Sequence, residues 1–180
     1  MKLFLNLFIL SFGILLSGVV SANQLPTTVN YVDIEKYMGT WYEIAKFPTW
    51  FQKDCLATNA TYALQSNGSV WVKNKCQDIN DPSRIREANG TAFVSDKITN
   101  AKLKVSFVPI LQRFGWFAGD YWILALADDY SYALVGSPDR KFLWFLSRTK
   151  EMDQLIFENL KDIAINQGYD ISRLTISPSN

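Results

Sequence analysis

Cys55 and Cys76 are the only cysteines in the chain and histidine is absent, so few reactive side chains are available. A zinc site of the usual Cys/His kind is excluded, and any nucleophile would lack an imidazole base. Two cysteines in an exported chain predict one disulfide; left unbridged, they would offer a thiol instead. No metal and no cofactor is expected. The other polar candidate is Glu43, which shares the parity of Trp41 and Ala45 in Gly39-Thr40-Trp41-Tyr42-Glu43-Ile44-Ala45-Lys46-Phe47. A buried carboxylate must be paired or protonated, so Glu43 is expected to pair with a basic side chain or to hold a polar group of a ligand.

Export itself is read from the first 22 residues. Lys2 supplies a positive start, Leu3 to Leu16 an apolar run, and Val20-Ser21-Ala22 a small-residue cleavage site. The run is short for a membrane span and contains Asn6. The expected destination is the periplasm or outer membrane, or secretion from a eukaryotic cell. No cysteine precedes Cys55, so no lipid attachment at the cleavage point is expected. Cleavage leaves 180 − 22 = 158 residues, residues 23–180, the size of a single domain. Losing Lys2 reduces the 18 basic residues to 17, equal to the 17 acidic ones. That neutrality argues against nucleic acid as a partner.

Strands must position these side chains. Gly39 to Phe47 is rich in Tyr, Trp, Ile and Phe and is closed by Pro48, which reads as a first strand after one helical turn at Ile34 to Met38. Cys55 to Leu64 and Ser69 to Cys76 alternate around Ser66-Asn67-Gly68, a hairpin that brings the two cysteines nearly opposite. Gln77 to Ser83 reads as a polar loop ending in Asp81-Pro82, followed by a strand from about Arg84 to Val94. Lys102 to Phe107 alternates cleanly, and three more strands follow at Asp120 to Ala127, Tyr130 to Ser137 and Phe142 to Arg148. Phe142-Leu143-Trp144-Phe145-Leu146 is apolar on both faces, so something must cover its outer side.

The cover is Asp153 to Gln167, where Ile156, Leu160, Ile163 and Ala164 share a helical face. Asp153 is the expected N-cap, Met152 and Phe157 are spaced as a hydrophobic staple, and Gly168 stops the helix. A short strand at Arg173 to Ile176 ends the pattern. Eight strands in meander order with one late helix predict an all-β, eight-stranded antiparallel up-and-down barrel, the helix packed on its outside. Such a barrel is wide enough to hold one small ligand.

The motifs in these places resemble those of the lipocalin family, most closely the bacterial outer-membrane lipocalins, with apolipoprotein D and the plant temperature-induced lipocalins as relatives. Gly39-Thr40-Trp41 looks like the family's Gly-x-Trp first strand, Asp128-Asp129-Tyr130 falls at the second motif with Asp in place of the usual Thr, and Arg148 matches the third. The likeness runs from about residue 34 to residue 175. It implies that Gly39, Trp41, Tyr130 and Arg148 are structural, the guanidinium packing over the indole at the closed end. It also places Trp122 at a pocket position of the apolipoprotein D pattern.

Alternation nominates Ala45, Phe47, Ala60, Tyr62, Val72, Leu103, Val105, Phe107, Trp122 and Leu124 as cavity lining, beside Glu43. The loops at 48–54, 77–83, 109–118 and 137–141 should share the open end. There Trp50, Phe51, Phe114 and Trp116 beside Arg113 and Arg140 suit an amphiphile with an acidic head. The expected function is binding and transport or storage of a fatty acid or lysophospholipid for membrane maintenance, without enzymatic activity. Transient membrane contact and a monomer or weak dimer are expected with it. Two alternatives stand beside this: an isomerase-like enzyme using a free cysteine thiol, and a partner-binding protein using the open-end loops.

Overall fold

In the computed structural model, which describes residues 24–108 and 118–177, the chain runs through a helical turn α1 (Ile34–Tyr37) and β1 (Gly39–Lys46) into a long meander. The meander comprises β2 (Cys55–Leu64), β3 (Val70–Asp78), β4 (Asp81–Val94), β5 (Lys102–Ser106), β6 (Gly119–Leu126), β7 (Tyr132–Gly136) and β8 (Leu143–Ser147). Helix α2 (Gln154–Asn166) and a two-residue strand β9 (Thr175–Ile176) follow. All neighbours are antiparallel, and β1 pairs both β8 and β2, which closes the eight-stranded barrel. The expected fold is therefore the observed one. The signal segment lies outside the described residues.

β1 changes partner along its length. Gly39 to Tyr42 pair with β2, whereas Ala45 and Lys46 pair with β9. The upper part of the seam is thus sealed by the end of the chain instead of by the second strand.

Two bulges decide which side chains face inward, since one extra residue reverses the alternation beyond it. On β1, Ile44 is skipped between the pairs Glu43 with Leu146 and Ala45 with Phe145. On β6, Leu124 is skipped between Ile123 with Val135 and Ala125 with Leu134. Trp41, Tyr62, Val72, Leu103, Ile123, Val135 and Leu146 form the barrel interior. Ala45, Phe47, Trp122, Leu124, Leu134, Leu143 and Phe145 form a second core between the barrel wall and Leu160 and Ala164 of α2.

Four of the expected lining residues are corrected by this division. Ala45 and Phe47 face α2 because the bulge at Ile44 turns them outward. Trp122 and Leu124 face outward because β6 registers with Tyr121, not Trp122, opposite the inward Leu103. Trp122 stands opposite Lys102, whose Nζ lies 4.4 Å from the centroid of the indole, on the outer face.

α2 is held as its sequence requires. The Asp153 carboxylate accepts from the backbone N–H groups of Leu155 and Ile156. At the other end Gly168, at φ +82°, lets Tyr169 N–H reach back to the Ala164 carbonyl at 3.0 Å. Leu143 and Phe145 beneath α2, with Trp144 and Leu146 on the interior side, account for the doubly apolar β8. Full burial of each large apolar side chain here contributes about 1.5 to 3 kcal/mol.

The polar loop expected at Gln77 to Ser83 is not a loop. β3 continues to Asp78 and β4 begins at Asp81, leaving a two-residue turn at Ile79-Asn80. Asp81-Pro82 sits at a strand start, where the missing N–H of proline costs little. Cys55 and Cys76 form the expected disulfide, with Cα atoms 5.3 Å apart, next to a bulge where Ala57 and Thr58 together oppose Cys76. The bridge closes a sequence separation of 21 residues. Replacing both cysteines by serine is therefore expected to cost about 3 kcal/mol, read as a lower urea midpoint. An unchanged midpoint would show that the hairpin needs no clamp.

Candidate functional site

The floor is built from Trp41, fully buried, and Arg148, whose guanidinium lies 3.8 Å from the centre of the Trp41 ring. Arg148 also donates to four carbonyls: from Nε to Tyr130 at 3.2 Å, from Nη1 to Thr40 at 3.0 Å, and from Nη2 to Lys36 at 2.9 Å and Tyr37 at 3.2 Å. Gly39, at φ +94°, passes under this group, where a Cβ would stand 3.3 Å from Nη1. The Tyr130 hydroxyl accepts from Asp33 N–H at 2.9 Å. The lead-in segment crosses the same end, with Val32 fully buried. Gly39, Trp41, Tyr130 and Arg148 are brought together here as the closed end.

Above the floor stand three tyrosines from three elements: Tyr37 of α1, Tyr62 of β2 and Tyr121 of β6. The Tyr37 and Tyr121 hydroxyls are 2.8 Å apart, and Tyr62 donates to Tyr121 at 3.1 Å. Burial raises all three phenols, Tyr62 to about 12. The cluster therefore remains neutral throughout the physiological range.

Higher in the barrel, Ala60, Val105, Tyr121 and Trp144 pack against the interior core yet keep accessible surface. Inward side chains of a closed barrel keep such surface only where they look onto a hollow. Tyr62 and Val72 are buried in the same interior. Phe107 extends it toward the mouth over Gly90, where a Cβ would come within 2.8 Å of the Phe107 ring and 2.7 Å of the Ser106 carbonyl. Glycine there leaves the space that the aromatic ring fills.

The upper interior holds one ion pair. Lys46 Nζ lies 2.8 Å from Glu43 Oε1, with the two side chains 11% and 4% exposed. The Glu43 carboxylate also accepts from Gln52 Nε2 at 3.0 Å and from Ser177 Oγ at 2.7 Å. These donors offset the desolvation of a buried pair. Glu43 thus pairs with a basic side chain. Gln52 belongs to a single turn at Trp50–Gln52 that leans over the mouth, where Phe51 meets Phe142 and Phe142 stacks on Trp144.

The rim differs from expectation at Arg140. Its Nε donates to the Gln167 carbonyl at 2.7 Å and its Nη2 to the Gln24 carbonyl, so it caps the C-terminal end of α2 and ties down the lead-in segment. Carbonyls at a helix end attract a guanidinium, and that claim wins over the mouth. Trp50 is 82% exposed and Phe51 41% exposed beside the opening. Arg113, Phe114 and Trp116 lie outside the described residues. Both cysteines are bridged, so the chain has no thiol for the isomerase-like alternative.

Tyr37, Lys46, Gln52, Tyr121 and Trp144 were not among the residues nominated from sequence. The β5–β6 register would have picked out Tyr121 in place of Trp122, and the bulge at Ile44 would have picked out Lys46 in place of Ala45 and Phe47.

Residues 32–179 match the family model described as a lipocalin-like domain. The chain is 41% identical to temperature-induced lipocalin-1 of Arabidopsis thaliana over 155 residues, covering 84% of this chain and 82% of that protein. It is 38% identical to outer membrane lipoprotein Blc of Escherichia coli (strain K12) over 147 residues, covering 82% of this chain and 79% of that protein. Among solved structures, insecticyanin from the tobacco hornworm Manduca sexta superposes with a TM-score of 0.67 at 21% identity, covering 86% of this chain and 85% of that one, a likeness of fold.

Proposed function

The chain belongs to the lipocalin family, and from that membership we propose that it binds and carries a small amphiphile, a fatty acid or lysophospholipid, tail inward in the barrel. The observation that carries this reading is the accessible surface on Ala60, Val105, Tyr121 and Trp144, which turns a closed barrel into a container. The tail lies against Tyr62, Val72, Leu103, Val105 and Phe107. The acidic head stays at the mouth beside Lys46 and Gln52. Burial of about 0.8 kcal/mol per methylene gives a long acyl chain micromolar affinity even after ordering costs.

Export by the N-terminal segment belongs to the same reading, as does transient membrane contact through Trp50 and Phe51, the means of collecting and delivering the lipid. An exposed indole beside an apolar rim suits a bilayer interface.

Titration with a fluorescent fatty acid is expected to saturate at one site with a micromolar Kd and to quench tryptophan emission. Trp144 faces the hollow and Trp122 lies outside the wall, so Trp144→Phe should remove most of the quenching and Trp122→Phe little. No saturable binding below high micromolar concentration would sink the proposal.

A further inference from the structure

The tyrosine cluster above the floor has more hydrogen-bond donors than it uses. Three hydroxyls carry three protons, and two hydroxyl–hydroxyl contacts consume two of them. Tyr62 spends its proton on Tyr121. The remaining proton is on Tyr37 when Tyr121 donates to Tyr37, or on Tyr121 when Tyr37 donates to Tyr121. Either way one O–H has no protein acceptor, and of the two residues Tyr121 is the less buried, Tyr37 being 3% exposed. A buried donor without an acceptor is costly unless something entering the barrel accepts from it.

We propose that Tyr37, Tyr62 and Tyr121 form a polar subsite at the foot of the barrel that takes a neutral oxygen acceptor, a carbonyl, on the buried end of the ligand. This rests on the binding reading above and narrows it: the carried molecule is an oxygenated lipid with a polar group at each end. An anion does not fit the subsite. The nearby guanidinium of Arg148 is committed to four carbonyls and to Trp41, and a single phenolic donor does not compensate a buried carboxylate. An ammonium does not fit either, since the phenols remain neutral and the nearest identified interior carboxylate, Glu43, is held by Lys46, Gln52 and Ser177 at the other end of the barrel.

The test compares hexadecanoic acid with the same chain ended by a methyl ketone, each displacing the fluorescent fatty acid from the full protein. A wholly apolar floor would weaken the ketone by about tenfold, the cost of burying an unpartnered carbonyl. The subsite predicts that the ketone binds at least as tightly as hexadecanoic acid. It also predicts that Tyr121→Phe weakens the ketone about tenfold more than it weakens hexadecanoic acid. The infrared carbonyl stretch of the bound ketone, which needs no variant to fold, should move to lower wavenumber than in hydrocarbon solvent. A ketone about tenfold weaker than the plain acid in the unaltered protein, or an unshifted stretch, overturns the subsite and leaves the binding reading standing. If neither compound displaces the probe, the binding reading itself fails and the subsite with it.

Discussion

Arg148→Ala lowers the stability of the barrel by about 3 to 4 kcal/mol, the largest loss expected from any single substitution outside the apolar cores. The side chain does two separable things. It places a cation on the indole face of Trp41, worth about 0.5 to 2 kcal/mol, and it satisfies the carbonyls of Lys36, Tyr37, Thr40 and Tyr130. A charged hydrogen bond contributes about 1.5 to 3 kcal/mol, but the four do not add in full, because water reaches part of this end after truncation. Arg148→Lys should recover less than half, since an ammonium cannot fan out to four acceptors and stack at once. Urea unfolding followed by tryptophan fluorescence measures both. A loss below about 1 kcal/mol for the alanine variant would mean that the closed end is held by its apolar plug alone.

Alkaline unfolding is the second large effect. The folded state holds the Tyr62 phenol at about 12 and raises those of Tyr37, Tyr121 and Tyr169 as well, against an ordinary value near 10. The cause is burial first. Because the folded values are raised, the unfolded chain loses these protons sooner, so stability is unaffected below pH 10 and falls as pH rises above it. In the first pH unit above the ordinary value each phenol removes about 1 kcal/mol, so the three-tyrosine cluster alone removes about 3 kcal/mol there. That is a large share of a typical total of about 5 to 15 kcal/mol. Cooperative unfolding is therefore expected between pH 10 and about 12, with tyrosinate absorbance from the buried phenols rising together with the loss of circular dichroism. Tyr62→Phe should flatten the decline by about one quarter, as one of the four raised phenols. Phenols that titrate near 10 in a protein still folded would refute the burial argument.

Much of this was legible in the chain because it is written in local chemistry. β2 begins and ends at the expected residues, and α2 has its expected cap and stop, since turn and capping residues act within a few positions. The motif residues Gly39, Trp41, Tyr130 and Arg148 meet at one end as the resemblance implied. What failed was facing. A bulge leaves no strong mark in the sequence: Ile44 and Leu124 are ordinary strand residues, yet skipping each turns two consecutive side chains to the outer wall. Trp122 was misplaced for a related reason, since Tyr121 and Trp122 are equally good inward residues until the pairing of β6 with β5 chooses between them. Arg140 was read by its neighbourhood in the chain, when its partners, the carbonyls of Gln167 and Gln24, are 27 and 116 residues away. The two-residue turn at Ile79-Asn80 was hidden by polar residues that prove to be strand.

The partner change along β1 has a bearing on how the chain acquires its shape. β1 is the first strand delivered, yet its pairing with β8 joins Tyr42 to Ser147 and its upper edge joins Ala45 to Ile176, separations of 147 − 42 = 105 and 176 − 45 = 131 residues. Contacts of that span must be reached against a large loop entropy, so topologies rich in them fold in milliseconds to seconds instead of microseconds. The opening strand therefore has no complete set of partners until nearly the last residues are present. No fragment that stops before β8 can close the ring, although its local hairpins can still pair.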